Sequence, residues 1–242
     1  MSWVLANLPT IAGHLLAHLL QAVPAIIASF VLAIPIARLA RVARPLRAVL
    51  VTGSSLLYAV PSLALFVILP IILATGIRDP LNVIVALTLY GLALLVPATA
   101  DALDAVDARV LDAATAMGMG RLRCFLTVEL PLAGPAILTG LRVVTVSTIS
   151  LTTVGAVLGV RSLGWLFTDG FQRGITAEIV TGLVATAALA LVLDGLVLAL
   201  GRLCLPWTWK RAGATGQVLE ADGASTAGGR EDNGREKRET ES

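Results

Sequence analysis

Charge-free stretches long enough to cross a bilayer constrain this sequence more than any other feature. Residues Met1–Ala37 contain no Asp, Glu, Lys or Arg, and Ala48–Ile77 contains none over 30 residues. Pro80–Ala100 is a third such run. Val143–Val160 is a fourth, reaching back to Leu130 if Arg142 is admitted, and Ile179–Gly201 is a fifth, interrupted by Asp194. A helix needs about 20 apolar residues to cross a hydrocarbon core about 30 Å thick. The runs therefore predict membrane helices near residues 15–37, 50–75, 81–102, 136–157 and 179–201. Composition agrees, with 57% hydrophobic and 14% charged residues, where a soluble domain is roughly a quarter charged. The expected fold class is all-α, a polytopic transmembrane bundle of about five spans.

The first run does not read as a cleaved leader. A signal peptide carries basic residues ahead of a short apolar region; here no charge precedes the run, and Arg38, Arg41, Arg44 and Arg47 follow it. Basic residues also set the expected orientation. Those four arginines, then Arg109, Arg121 and Arg123, then Arg202, Lys210 and Arg211 fall in alternate loops. Basic loops are retained in the cytoplasm, so the N-terminus is expected outside and the C-terminus inside. The opposite loops hold Arg78, Arg161 and Arg173, each near an acidic residue. Trp207 and Trp209 fit an inner interfacial belt, and Trp3 and Trp165 an outer one.

The rest of the inventory is restrictive. A net charge of +2 does not point to nucleic acid. Cys124 and Cys204 lack metal-ligand spacing and form no disulfide framework. His14 and His18, at i and i+4, are half of a zinc arrangement without a nearby third ligand. Arg142 and Asp194 lie within spans, each near the cytoplasmic end of its helix, as snorkelling side chains or a structural pair. Residues 1–205 read as the membrane domain and 206–242 as a polar cytoplasmic tail. From Ala212 onward that tail is too poor in large apolar residues to offset its ordering entropy. The second run exceeds one crossing: Pro61 and Pro70 divide it, leaving either one kinked helix or a helix plus a short broken segment.

The loop from Asp101 to Pro135 reads as structure rather than as a tether. Its Asp101–Met117 part is Ala-rich and helical in composition, and Gly118 and Gly120 break it. Arg121–Leu130 is amphipathic, with Leu122, Phe125 and Leu126 at helical spacing. Pro131 and Pro135 are expected to end that segment before the fourth span. Two short helices jointed by glycine make a cytoplasmic knob that another protein can grip.

Here the residues resemble a family. Asp112-Ala113-Ala114, three residues, Gly118, nine residues, Val128, one residue, Leu130-Pro131 is similar to the "EAA" loop of type I ABC importer permeases, with Asp112 in place of Glu and Val128 in place of Ile. Tyr58-Ala59-Val60-Pro61-Ser62-Leu63-Ala64-Leu65 resembles a stretch of the osmoprotectant branch, which imports glycine betaine, carnitine and choline. Leu89–Pro97, Met117–Gly120 and Val128–Pro135 resemble that branch as well. The resemblance covers about residues 15–205. Two places depart from it: Tyr58 stands where the branch has Gln, and Gly159-Val160-Arg161-Ser162-Leu163-Gly164 replaces a Gly-Ala-Gly-Gly-Leu-Gly run.

The resemblance implies a permease subunit of an ABC importer in the cell membrane, itself not an enzyme. The sequence holds no Gly-x-x-x-x-Gly-Lys-[Ser/Thr] phosphate loop, so no cofactor is expected on this chain. ATP and Mg would bind a partner ATPase seated on the knob. A second permease subunit, the same or homologous, and an extracytoplasmic substrate-binding protein would complete the machine. Asp112, Ala113, Ala114, Gly118, Val128, Leu130 and Pro131 would form the coupling loop. Tyr58, Pro61, Ser62 and Tyr90 are candidates for the substrate path, against ordinary helix packing. The alternatives are a permease of the same superfamily for an amino acid or sulfonate, and a secondary transporter, which would show an inverted repeat or mid-membrane acids.

Overall fold

The computed structural model describes residues 2–42 and 44–206. Its elements are α1 (Ser2–Ala6), α2 (Leu8–Val42), α3 (Arg44–Ala59), α4 (Ser62–Leu73), α5 (Pro80–Asp104), α6 (Ala108–Ala116), α7 (Arg121–Cys124), a π-helical turn (Phe125–Glu129), α8 (Leu130–Thr152), a 3-10 segment (Thr153–Leu158), α9 (Trp165–Arg173) and α10 (Thr176–Cys204). No strand occurs among the described residues. The chain divides into two compact units, Met1–Ala199 and Leu200–Ser242; of the second, residues 200–206 are described and carry the last turns of α10. The expected inner tryptophans Trp207 and Trp209 and the polar tail lie outside the described residues.

Four helices are long and apolar enough to span a membrane: Leu8–Arg41, Pro80–Asp104, Arg121–Leu158 and Thr176–Cys204. They correspond to the first, third, fourth and fifth expected spans; the pair Arg47–Ala59 and Ser62–Leu73 makes a fifth when taken as one broken span. That pair is bent by 108° at the Val60–Pro61 break, so the second run is two helices set at a sharp angle rather than one straight helix. Pro61 has no N–H to continue the helix, and its ring would meet the carbonyl one turn earlier. The chain turns there and restarts at Ser62. Large apolar side chains point outward, among them Leu20 (63% exposed), Ile71 (78%) and Leu191 (74%). Such a surface suits lipid, not water.

Because acyl chains are as apolar as leucine, membrane helices associate through close packing and hydrogen bonds. The chain uses small residues for this. Ala22, Ala25, Ser29, Ala33, Ala37 and Ala40 are all fully buried and recur every three or four residues, so they line one face of α2. That face lies along α5. Where α5 passes Ser29, a Cβ on Gly91 would stand 2.1 Å from Ser29 Oγ and 2.7 Å from Ser29 Cβ. Ser29 Oγ donates to the Ala25 carbonyl at 2.7 Å and lies 3.2 Å from the Thr88 carbonyl on α5. Toward one end of the bundle the core is Leu65, Phe66, Leu69, Val83, Leu87 and Tyr90. Toward the other it is Ala37, Ala100, Leu103, Phe125, Ala133 and Ile137.

Gly91→Ala is expected to force α2 and α5 apart and to cost about 1–3 kcal/mol, read as a lower melting point of the detergent-solubilised chain. Gly53→Ala, where a Cβ meets nothing within 4 Å, is expected to leave melting unchanged or raise it slightly.

Candidate functional site

The segment between α5 and α8 folds into a short helical knob. Helix α5 ends at Asp104, and Asp107 starts a new one by accepting a hydrogen bond from the Arg109 N–H at 2.9 Å, the geometry of an N-cap. The expected single helix over Asp101–Met117 is therefore two, interrupted at residues 105–107 by this cap. Helix α6 closes at Gly118. The Gly118 N–H reaches the Thr115 carbonyl at 2.9 Å and the Met119 N–H reaches the Ala114 carbonyl at 3.2 Å, the paired bonds of a Schellman ending. Gly118 has φ +83° and open space where a Cβ would sit. Backbone conformation alone requires the glycine there, at about 1–2 kcal/mol for any other residue.

After Gly120 the chain does not stop where Leu130-Pro131 and Pro135 were expected to stop it. Helix α7 passes through the π turn into α8, giving one rod from Arg121 to Leu158. The Leu130 N–H bonds to the Phe125 carbonyl, five residues back. In a regular helix the Pro131 ring would clash with the carbonyl of Thr127; the widened turn just ahead of it removes that clash. The knob is therefore mechanically continuous with a membrane span.

The loop residues divide by face. Asp112 and Ala113 are exposed, while Ala114 is buried. Asp112 has no hydrogen-bond or ionic partner among the described residues. Val110, Met117, Leu122 and Leu126 are exposed apolar side chains on the knob. Val128, Leu130 and Pro131 are half-buried, with Leu130 packed against the cluster that holds Phe125 and Ile137.

Charges clamp the base of the knob. Arg41 of α2 pairs with Asp104 of α5 (Nε to Oδ1, 3.3 Å) and with Glu129 of the π turn. Arg47 of α3 pairs with the other Asp104 oxygen at 2.5 Å. The Arg38 guanidinium lies 4.2 Å from the centre of the Phe125 ring, a cation–π contact. Sequence reasoning used these arginines only to orient the chain. The signal for their second role was available: Asp104 and Glu129 bracket the knob at the end where the arginines gather.

The candidate path residues also come together. At the helix break the Val60 carbonyl has lost its helical partner, and the Tyr90 hydroxyl donates to it at 2.6 Å. Tyr58 stands edge-on to Tyr90, ring centres 6.1 Å apart. Tyr58 and Pro61 are exposed, Ser62 is half-buried and Tyr90 is buried. The two histidines do not join this group. His18 is fully buried and His14 stacks on Trp165, ring centres 4.7 Å apart, so Trp165 is a packing partner of α2 as well as a terminal aromatic.

Residues 29–209 match the family "Binding-protein-dependent transport system inner membrane component". The chain is 30% identical to the choline transport system permease protein OpuBD of Bacillus subtilis (strain 168) over 81% of its own length and 86% of that protein's. It is 29% identical to the glycine betaine/carnitine/choline transport system permease protein OpuCD of the same organism over 73% and 76%. It is 33% identical over 62% of its length to the ergothioneine transport permease/ergothioneine binding protein EgtU of Helicobacter pylori (strain G27), of which it spans 27%. Among solved structures it resembles the inward-facing MetNI methionine ABC transporter at a TM-score of 0.67, with 20% identity over 81% of this chain and 94% of that one.

Arg41→Ala is expected to leave Glu129 and Asp104 short of a cation. Thermolysin cleavage within residues 105–120 is then expected to speed up about fivefold, as about 1 kcal/mol more opening requires. Arg109→Ala, at an exposed side chain paired within its own turn, is expected to leave that rate unchanged.

Proposed function

Because this chain belongs to the family of inner membrane components of binding-protein-dependent transport systems, we propose that it is the permease subunit of an ABC importer for small quaternary amines such as choline, glycine betaine and carnitine. The observation that carries this reading is the knob. It is a helical element built outside the span bundle, closed by a glycine only a left-handed backbone explains, and continuous with the rod that enters the membrane. Relatives named for choline and for glycine betaine, carnitine and choline support the substrate class. ATP hydrolysis belongs to a separate ATPase subunit in this family.

In this reading the knob faces the cytoplasm, the N-terminus lies outside and the C-terminus inside. A separate ATPase grips α6. Asp112 accepts hydrogen bonds from basic groups of the ATPase groove, Ala113 permits close approach, and the exposed Val110, Met117, Leu122 and Leu126 bury against it. Ala114 anchors α6 to its own chain. Val128, Leu130 and Pro131 shape the rod's entry into the membrane. ATP closes the ATPase dimer, the knobs of two permease subunits move with it, and access to the path alternates between the two sides. A separate binding protein delivers the solute outside. The path runs by the α3–α4 break, where the Tyr58 ring and the polar backbone around Pro61 and Ser62 meet a cation released from that protein.

The test is uptake of labelled choline and glycine betaine into proteoliposomes holding the permease with its ATPase and binding protein. Accumulation is expected only with ATP and all parts present. Gly118→Asp is expected to abolish uptake while the chain still inserts. Uptake driven by an ion gradient without the ATPase would refute the reading.

A further inference from the structure

Arg142 of α8 and Asp194 of α10 form a two-pronged ion pair inside the spans. Arg142 Nε donates to one Asp194 oxygen at 2.8 Å and Nη2 to the other at 2.6 Å. Sequence reasoning placed both near helix ends. Because α7 runs into α8 without a break, Arg142 instead lies thirteen residues beyond Glu129, about 20 Å along the rod. It is also ten residues short of Thr152, about 15 Å from that end of α8. Charges at such depth are expensive and persist where they are paired and used.

The pair is conspicuous for where it acts. Helix α10 presents exposed Leu183, Val184, Leu191 and Val192 to its surroundings. Ahead of Asp194 its buried residues are Glu178, Gly182 and Leu189; Gly182 sits against Leu166 and Phe167, and Leu189 shares a cluster with Ala22, Ile149, Leu163 and Leu166. Arg142 keeps 39% and Asp194 20% of its side-chain surface, so in a bilayer this face is turned to protein or water rather than to acyl chains. The bidentate geometry fixes direction as well as distance. The rod that carries Arg142 is the one that begins in the knob.

We infer that Arg142 and Asp194 are positioning residues that make α10 follow the α7–α8 rod, so that movement of the knob reaches the last span. The transport consequence rests on the import reading above; the positioning itself does not. Two measurements separate them. In membranes, cysteines placed at Ile149 and Leu189, which share one buried cluster, report the register of α8 and α10 by disulfide cross-linking. Arg142→Ala and Asp194→Ala are each expected to lower that cross-linking at least about fivefold. The exchange of Arg142→Asp with Asp194→Arg is expected to restore it. In the assembled proteoliposomes the same single variants are expected to raise ATP hydrolysed per solute imported at least about tenfold, with the amount of chain inserted unchanged. Arg142→Lys, which keeps the charge but loses the fork, is expected to fall between.

Unchanged cross-linking in the single variants, or an exchange no better than those single variants, overturns the positioning role. Uptake and hydrolysis falling together, in proportion to inserted chain, overturns the claim that the pair carries knob movement to α10. Absence of ATP-driven uptake in the wild type, with cross-linking as expected, overturns the import reading alone.

Discussion

The Arg41 guanidinium stands between two carboxylates that belong to different parts of the molecule: Asp104, at the end of a membrane span, and Glu129, in the turn where the knob becomes the next span. That bridge adds direction to the apolar packing of Phe125 with Ala37, Ala100 and Leu103, which already seats the base of the knob on the bundle. With it, and with Arg47 on the second Asp104 oxygen and Arg38 over Phe125, helices α2, α3 and α5 are tied to the base of the α7–α8 rod. These groups sit at the end of the bundle, partly wet, where each pair is worth little alone. Four elements sharing one cluster give it directional stiffness that isolated pairs lack.

Stiffness is what a transmission needs. A gripped element moves a span only if it cannot fold away from it, and the route from α6 to the membrane offers few soft points. Asp107 fixes the start of α6, Gly118 fixes its end, and the π turn carries α7 past Pro131 without a hinge. The α3–α4 break, the path in the proposed reading, is built on the opposite principle. There the helix is broken at Val60–Pro61, and the stranded carbonyl is satisfied by the Tyr90 hydroxyl. Irregular backbone is tolerated at membrane depth where protein or water satisfies it. In the proposed importer, the rigid handle and the broken span would divide force from recognition.

Much of this was legible in the sequence, for a physical reason. Charges are excluded from hydrocarbon, so the spans appear as charge-free runs; four of the five expected spans are single helices among the described residues, and the second is the bent pair. The knob was legible because glycine at a left-handed helix end and proline at a span entry punctuate the chain. The bend at Pro61 was foreseen only as one of two outcomes, because proline removes a hydrogen bond without fixing the angle that follows. The cap at Asp107 was missed because an Ala-rich stretch looks continuously helical until its side chains are placed. The π turn was missed because a proline normally argues for an ending, and only the backbone shows the carbonyls spreading to admit it. Pairings such as Arg41 with Glu129, or Arg142 with Asp194, join residues far apart in the chain, and a single sequence carries charge but not partners.

The side of the membrane that α6 occupies is the claim everything else needs. It is read most directly by labelling Asp112→Cys, in a chain whose exposed Cys204 has been changed to Ser, with a membrane-impermeant maleimide. No labelling of intact cells, rapid labelling of inverted vesicles, and protection when the ATPase subunit is bound are the predicted results. Labelling from the outside of intact cells would contradict the account.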